Sequence, residues 1–213
     1  GRPGWHIECS CMSLKHLNCQ TLDIHGGGRD LVFPHHENEI AQSEGFTGVP
    51  FAKYWIHHGL LTINRQKMSK SLGNFITIEQ AVAKYGADQL KIFFLSSHYG
   101  SVIDFSEEKM ADVEKQRQHF LSFLGRAEKA ANGAAPVSCK WVENRDNEFL
   151  EAMDDDFNTA KALGVLFEFM SDVNKFIDQK QDLKEFTSII AGAAALIRSY
   201  LTDIFNLELS TST

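Results

Sequence analysis

The segment from Asp23 to Glu39 places a short apolar run, three consecutive glycines and a histidine-rich stretch within seventeen residues. The composition of Thr21–Ile24 predicts a short strand. The glycines after it predict a turn, because glycine adopts backbone angles that are closed to other residues. Pro34 suits the first turn of a helix, which we expect over residues 34–44. The segment is therefore predicted to run from a strand through a glycine turn into a helix.

The predicted helix carries a candidate metal-binding pair. His35 and Glu39 are four residues apart, so their side chains share one face of the helix. Imidazole and carboxylate groups in this arrangement are suited to zinc. An isolated pair of this kind is more often a solvated helix start, so the rest of the chain must decide between the two readings. A zinc hydrolase is disfavoured, because residues 36–40 lack the His-Glu-x-x-His spacing of that class.

Composition bounds the class of protein. The chain has 213 residues, 43% of them hydrophobic, which is enough for one large domain or two modest ones. It has no apolar run long enough to span a membrane and no secretory signal at its start, and the missing initiating Met predicts a fragment. Three of the four cysteines, Cys9, Cys11 and Cys19, lie within eleven residues and form no Cys-x-x-Cys pair. Reduced cysteines that bind a metal or substrate are favoured over disulfides, so we expect a reducing compartment and a cytoplasmic protein.

Charge and histidine are divided unevenly along the chain. Residues 1–100 hold 9 Lys/Arg against 8 Asp/Glu, whereas residues 101–213 hold 12 against 20. The acidic half argues against a broad nucleic-acid-binding surface there, so a polyanion is expected to meet local patches. Eight of the nine histidines lie at or before His98, which predicts that the chemistry belongs to the first half.

Alternating strand-like and helical patterns predict an α/β fold with a parallel sheet in the first 65 residues, followed by an all-α region. Tyr54–Ile63 is expected to be a strand entering a loop. Residues 132–139 are the clearest linker. The predicted helices are Ile78–Tyr85 with Thr77 as its N-cap and Gly86 at its end, Ala87–Ser97, a helix from Ser106 to Ala131, and helices near 144–153, 157–180 and 183–205.

A second motif, Lys67-Met-Ser-Lys-Ser71, lies on a predicted loop before a helix. Two lysines flanking small hydroxyl residues can hold phosphate, since the ammonium groups supply charge and the hydroxyl and backbone N–H groups supply hydrogen bonds. A short Lys/Ser loop alone is usually solvated surface. Here it follows the strand, the glycines and the histidine helix in a fixed order.

That combination resembles the class I aminoacyl-tRNA synthetases, and the remaining sequence is similar to the cysteinyl-tRNA synthetase family in particular. The matching stretches are Gly1–Ser10, His25–Asp30, Phe33–Ser43, Leu95–Tyr99 and, more loosely, Asp155–Ala160. The resemblance implies three domains. They are the second half of a Rossmann-like catalytic domain over residues 1–75, a connecting, stem-contact helical domain over 76–133 and a helical bundle domain over 140–213.

The resemblance also implies a zinc site. Cys9, His35 and Glu39 fall at the zinc ligands of the family, whose fourth ligand is a cysteine in a segment that this chain does not contain. Trp5 and His35 are expected to contact the substrate cysteine. A small apolar pocket separates cysteine from serine poorly, whereas zinc binds a thiolate far better than a hydroxyl. Residues expected to hydrogen-bond around the ligands are His36, Glu37 and His57.

ATP, bound with magnesium, is the second expected ligand. The family resemblance assigns its pocket to His25, Gly26, Gly27, Gly28, Asp30 and Lys70. Lys67 and Lys70 are the expected catalytic residues, since their charge can stabilise the leaving pyrophosphate. The other class I motif, His-x-Gly-His, belongs to the same segment that this chain does not contain.

The implied activity is that of a cysteine–tRNA ligase, which forms cysteinyl-adenylate from cysteine and ATP and transfers the cysteine to tRNA(Cys). The expected partners are cysteine, ATP and tRNA(Cys), with no membrane and a monomeric state. One alternative is the related ATP-dependent ligase that couples cysteine to an amino-sugar. Another is a zinc- or tRNA-binding fragment without catalysis.

Overall fold

Two parallel strands and two helices form most of the first of two units into which the chain divides. The structure is a computed structural model that describes residues 3–68, 73–179 and 185–209. The first unit comprises Gly1–Leu61 and Tyr99–Ile103, and the second comprises Thr62–His98 and Asp104–Thr213. In the described part of the chain, no helix is long and apolar enough to cross a membrane.

The first unit is a βαβ arrangement preceded by a helix. Its elements are α1 (His6–Leu17), β1 (Leu22–Gly28), α2 (Glu37–Thr47) and β2 (Ala52–His58). β1 and β2 pair in parallel, from Leu22 opposite Ala52 to Gly28 opposite His58. A parallel pair needs a crossover connection, and α2 supplies it. The predicted parallel pairing is confirmed, although β2 begins before Tyr54.

Helix α1 is absent from the sequence prediction. It buries only Ser10 and carries cysteine, serine and histidine residues, which are weak helix formers, so it has little amphipathic pattern. It ends at Asn18, which adopts a left-handed conformation (φ 51°) typical of a helix end. The helix carries Cys9, one of the predicted zinc ligands.

The predicted glycine turn is wrong, because the glycines continue β1. Gly26, Gly27 and Gly28 pair with Ile56, His57 and His58 of β2, and none of the three glycines has positive φ. The turn comes later, over residues 29–36, where Phe33 is extended (φ −134°, ψ 134°). α2 consequently begins at Glu37, three residues after the predicted start.

The second unit combines short strands with helices. The strands β3 (Leu61–Ile63), β4 (Gln66–Lys67) and β5 (Ile103–Phe105) are arranged in the order β4-β3-β5, and all of their residues except Leu61 and Ile103 belong to this unit. The helices are α3 (Ile78–Tyr85), α4 (Ala87–Leu95), α5 (Glu107–Ala131), α6 (Lys140–Asp154), α7 (Thr159–Gln179) and α8 (Phe186–Ser199). The α/β-then-helical order that the sequence predicts is therefore observed.

Local capping signals explain the best-predicted helices. Thr77 accepts a hydrogen bond from the Gln80 N–H, and the Gln80 side chain accepts one from the Thr77 N–H, which forms a capping box. Ser106 caps α5 in the predicted way. α8 ends at Ser199 and continues directly into a π-helical turn over Tyr200–Ile204, which accounts for the predicted end near residue 205.

The core of the second unit lies among its long helices. α5 packs against α4, α7 and α8, and α6 packs against α7. The fully buried side chains include Phe120, Phe149, Phe169, Met170, Ile190, Ile197 and Leu201. Such burial of large apolar side chains is the main driving force for folding.

The segment after α8 is tied to α4 through its backbone. The Asp88 carboxylate accepts hydrogen bonds from the N–H groups of Glu208 (3.0 Å) and Leu209 (2.8 Å). Lys91 donates to the Asn206 carbonyl, and the Leu207 side chain is buried. These contacts fix the course of residues 206–209 along the helical region.

Candidate metal and nucleotide site

Glu39 is the centre of a buried polar cluster in the first unit. Its side chain has no exposed surface, with Oε1 2.7 Å from His35 Nε2 and Oε2 2.7 Å from His25 Nε2. Although these two nitrogens are close, neither carboxylate oxygen has a partner with hydrogen-bond geometry in the described structure, and His35 Nδ1 has none either. A carboxylate buried without such partners is costly, and a bound cation removes that cost.

Two overlapping groups of side chains could hold a metal ion in this cluster. Cys9, His35 and Glu39 place their ligand atoms within 4.8 Å of one another, and so do His25, His36 and Glu39. The first group is the ligand set that the sequence predicts. Thiolate, imidazole and carboxylate together are suited to zinc, so the residues present fit the metal that the resemblance implies.

Two elements bring the predicted ligands together. Cys9 lies on α1, Glu39 lies in the first turn of α2 and His35 lies two residues before that helix, and α1 packs against α2. Burial raises the pKa of the Cys9 thiol, and the neighbouring Glu39 carboxylate raises it further. A cation between these groups would oppose that effect, because it favours the thiolate.

Trp5 lies directly on the predicted ligand His35. The two rings stack with centroids 3.7 Å apart and planes inclined by 27°. Trp5 is 60% exposed, so one face of its indole covers the imidazole while the rest is open. The structure therefore brings Trp5 next to the group of predicted zinc ligands, where the substrate contact is expected.

His36 and His57 form a hydrogen bond with each other. They are two of the three residues that are expected to hydrogen-bond around the ligands. Their Nδ1 and Nε2 atoms are 2.8 Å apart, which requires one ring to donate and the other to accept. Burial lowers the pKa of His36, the Glu39 carboxylate opposes this shift, and the proximity of the other imidazoles lowers the pKa further. A neutral His36 is suited to this shared hydrogen bond. Glu37 is exposed and belongs to neither metal group.

His25 lies among the metal-site residues, although the sequence analysis expects it on the nucleotide side. Besides its contact with Glu39, its ring centroid lies 4.8 Å from that of Trp55 and 5.1 Å from that of His36. The strand register explains this placement, since His25 pairs with Trp55 in β2. Sequence reasoning missed the contact, but the side-chain alternation of β1 and β2 would have indicated a shared face.

The other predicted nucleotide residues lie at the end of β1. Gly26 and Asp30 are exposed. A Cβ at Gly26 would have only ordinary contact with the Ile56 carbonyl, whereas a Cβ at Gly28 would overlap Asp30 Oδ1. Gly28 itself is buried, so the exposed backbone of Gly26, which has no side chain, is where a ligand could approach this strand closely.

Of the two predicted catalytic lysines, the structure describes one. Lys67 ends β4 in the second unit, is exposed, and accepts a hydrogen bond at its carbonyl from the Asn74 side chain (3.2 Å). Lys70 lies outside the described residues, so its role stays a prediction.

Comparison with known proteins identifies the family. A family model for the class I (C) tRNA synthetase catalytic domain matches residues 1–115. The chain belongs to the class I (C) tRNA synthetase family. A DALR domain model also matches residues 148–209, within the helical region of this synthetase chain.

The similar curated proteins of the synthetase family are named Cysteine--tRNA ligase. The protein from Thermodesulfovibrio yellowstonii is 50% identical over 97% of this chain and 44% of its own length. The protein from Geobacter metallireducens is 48% identical over 93% of this chain and 42% of its own length. The chain thus spans less than half the length of these relatives.

Solved synthetase structures share the fold at low sequence identity. The Agrobacterium radiobacter K84 agnB2 LeuRS, solved in a ternary complex with tRNA and LeuAMS, has a TM-score of 0.70 and 14% identity over 88% of this chain and 26% of its own. The Mycobacterium tuberculosis methionyl-tRNA synthetase in complex with methionyl-adenylate has a TM-score of 0.65 and 20% identity over 87% of this chain and 42% of its own. At these identities the likeness concerns the fold alone.

Proposed function

We propose that this chain is part of a cysteine–tRNA ligase that activates cysteine with ATP and transfers it to tRNA(Cys) in the cytoplasm, as a monomer. The observation that carries the proposal is the group of half-buried Cys9 and buried His35 and Glu39 in a chain whose relatives bear that name. We retain the division into domains at residues 1–75, 76–133 and 140–213 as part of the proposal.

Selection of the amino acid is assigned to the first unit. Zinc held by Cys9, His35 and Glu39 would supply a soft Lewis acid that prefers the thiolate of cysteine to the hydroxyl of serine. Trp5 borders this site through its stack on His35, so its exposed face can pack against the substrate. The contacts of Glu39 with His25 and His35 hold the carboxylate in place before the substrate arrives.

Activation of the amino acid is assigned to the glycines and lysines. The cysteine carboxylate attacks the α-phosphate of ATP bound with magnesium, which forms the adenylate and releases pyrophosphate. The glycines 26–28 and Asp30 would bind the adenosine side, with His25 beside them, although its ring also contacts Glu39. Lys67 and Lys70 would stabilise the charge that develops on the leaving pyrophosphate.

The molecule that receives the activated cysteine distinguishes the leading proposal from its closest alternative. A ligase that joins cysteine to an amino-sugar would use the same zinc and ATP chemistry. The names of the relatives favour tRNA as the acceptor. A fragment that only binds zinc or tRNA is the second alternative, since the chain spans less than half of its relatives.

A chimera tests the proposal. In it, this chain replaces the matching 44% of the Thermodesulfovibrio yellowstonii ligase, which is 50% identical to it. We expect cysteine-dependent ATP–pyrophosphate exchange, weak exchange with serine, and cysteinylation of tRNA(Cys). A folded, zinc-containing chimera that lacks cysteine-dependent exchange would contradict the proposal. Transfer to an amino-sugar but not to tRNA would support the alternative ligase.

A further inference from the structure

The hairpin that carries Lys67 contains a strained turn. Asn64 and Arg65 connect β3 to β4, and both have positive φ, 50° and 62°. This geometry suits the tight connection of two antiparallel strands, but its second position favours glycine, because a Cβ there crowds the backbone. β4 itself has only two residues. The hairpin therefore needs support from a neighbouring element, and strain of this kind is often retained at functional positions.

Asp104 in β5 supplies that support. Its Oδ1 atom accepts a hydrogen bond from the Thr62 hydroxyl (2.6 Å) and another from the Arg65 backbone N–H (2.5 Å). The adjacent Phe105 carbonyl accepts one from the Asn64 N–H (3.0 Å). Both residues of the strained turn are thus held by consecutive residues of β5. The hydrogen bonds from Thr62 and then from Arg65 also hold the pKa of the Asp104 carboxyl below its usual value.

Lys67 lies in β4 of this hairpin, so the support that Asp104 gives to the turn also fixes the position of Lys67. It pairs with Thr62 across the two strands, and the hydroxyl of the same threonine binds Asp104. On the far side of Lys67, the Asn74 amide donates to its carbonyl. The backbone of Lys67 is therefore held at two points, the β3 strand and the Asn74 side chain.

We propose that Asp104 is a positioning residue for Lys67, acting through the Thr62–Lys67 hairpin. This inference rests on the proposed function, in which Lys67 stabilises the leaving pyrophosphate. Loss of the carboxylate releases the Arg65 amide, relaxes the turn and lets β4 move away from its paired position. The role of Asp104 depends on the position of its acceptor atom, because the single atom Oδ1 accepts both hydrogen bonds. An uncharged acceptor in the same place should therefore replace the carboxylate.

The sharpest test compares Asp104→Ala with Asp104→Asn in the chimera. Asparagine keeps an Oδ1 acceptor, whereas alanine removes it. We expect Asp104→Ala to lower the kcat of ATP–pyrophosphate exchange on the order of 10- to 100-fold, the scale of a misplaced catalytic group, with the KM for cysteine and the zinc content unchanged. Asp104→Asn should keep most of the activity. Asp112→Ala, which removes an exposed carboxylate paired with Lys115, is the matched control and should leave kcat unchanged.

Amide hydrogen exchange in the 213-residue chain provides a readout that does not depend on catalysis. The Arg65 N–H should lose protection in Asp104→Ala and keep it in Asp104→Asn. The positioning role is overturned if Arg65 protection survives in Asp104→Ala, if the active chimera tolerates Asp104→Ala, or if Asp104→Asn is as damaged as Asp104→Ala. An unsubstituted chimera without exchange activity would instead count against the proposed function, while Arg65 protection still decides whether Asp104 holds the turn.

Discussion

Gly27 and His36 approach each other so closely that a Cβ on the glycine would lie 2.8 Å from the imidazole ring. The ring is buried and shares a hydrogen bond with His57, so it cannot move aside without losing that partner. The missing side chain at Gly27 is therefore a packing requirement of the metal cluster.

Substitution of Gly27 by alanine should destabilise the first unit. We expect Gly27→Ala to lower the free energy of unfolding by roughly 1–3 kcal/mol, the usual cost of overpacking. Gly45→Ala is the control, because a Cβ there meets nothing within 4 Å and Gly45 lies in α2. That change should raise stability by up to about 1 kcal/mol through helix propensity. Urea titrations followed by tryptophan fluorescence measure both, and equal midpoints for Gly27→Ala and the parent chain would contradict the expectation.

The zinc ligands make a prediction that needs no activity assay. Cys9→Ala, His35→Ala and Glu39→Ala should each weaken zinc binding by more than the roughly 10- to 100-fold that loss of a supporting hydrogen bond costs. Cys11 is exposed on the same helix as Cys9 and lies in neither metal group, so Cys11→Ala should bind zinc like the parent chain. Elemental analysis and competition with a chelator measure the difference. Unchanged zinc content and affinity in all three ligand variants would contradict the assignment of the zinc site.

Lys70 should matter for activation and not for metal binding. In the chimera, Lys70→Ala should lower cysteine-dependent ATP–pyrophosphate exchange on the order of 100- to 1000-fold, as expected for a group that stabilises transition-state charge. The zinc content should stay the same. Lys115→Ala removes an exposed lysine that pairs with Asp112, and it should leave the exchange rate unchanged. Normal exchange in Lys70→Ala would exclude the lysine from the mechanism.

We expect ionisation of Tyr200 to lower the free energy of unfolding at alkaline pH. Its ring stacks on Phe149 with centroids 3.8 Å apart, and its hydroxyl donates to Asp146. Burial raises the pKa of the phenol, and the hydrogen bond and charge of Asp146 raise it further. Because the pKa is higher in the folded chain, the stabilisation is fully present below the unfolded value of about 10 and is lost as the pH rises through the folded value.

Unfolding free energies measured between about pH 8 and pH 12 check this prediction, since that range brackets the ordinary tyrosine pKa. The parent chain should lose stability more steeply than Tyr200→Phe. At pH 8 the variant should be about 0.5–1.5 kcal/mol less stable, the value of a typical hydrogen bond. Tyr54→Phe, at a largely exposed tyrosine, should follow the parent curve. Parallel curves for Tyr200→Phe and the parent chain would show that another group is responsible.

The elements predicted most accurately from the sequence are those whose signals are local. Thr77, Gln80 and Gly86 define both ends of α3, because capping and helix termination depend on residues within one turn. Helix α1 lacks such a pattern and was missed. The sequence predicts a turn at the glycines of β1 because glycine adopts backbone angles closed to other residues, and only the position of His36 reveals why the strand requires one of them, Gly27.

The candidate site shows the same division between local and long-range information. The spacing of His35 and Glu39 predicts a shared helix face, and the structure brings Cys9 to them from α1. The contact of His25 with Glu39 depends on how α2 packs on β1, and the role of Asp104 depends on a residue 42 positions after Thr62. Neither of these long-range contacts can be derived from residue spacing alone.

The hold of Asp88 on the end of the helical region has a consequence for sequence variation. The carboxylate contacts backbone N–H groups at positions 208 and 209, which every amino acid except proline offers. These two hydrogen bonds place no demand on the side chains at positions 208 and 209 beyond the exclusion of proline, whereas they require an acceptor at position 88. The path of the chain at this point is therefore encoded 120 residues upstream, on another helix.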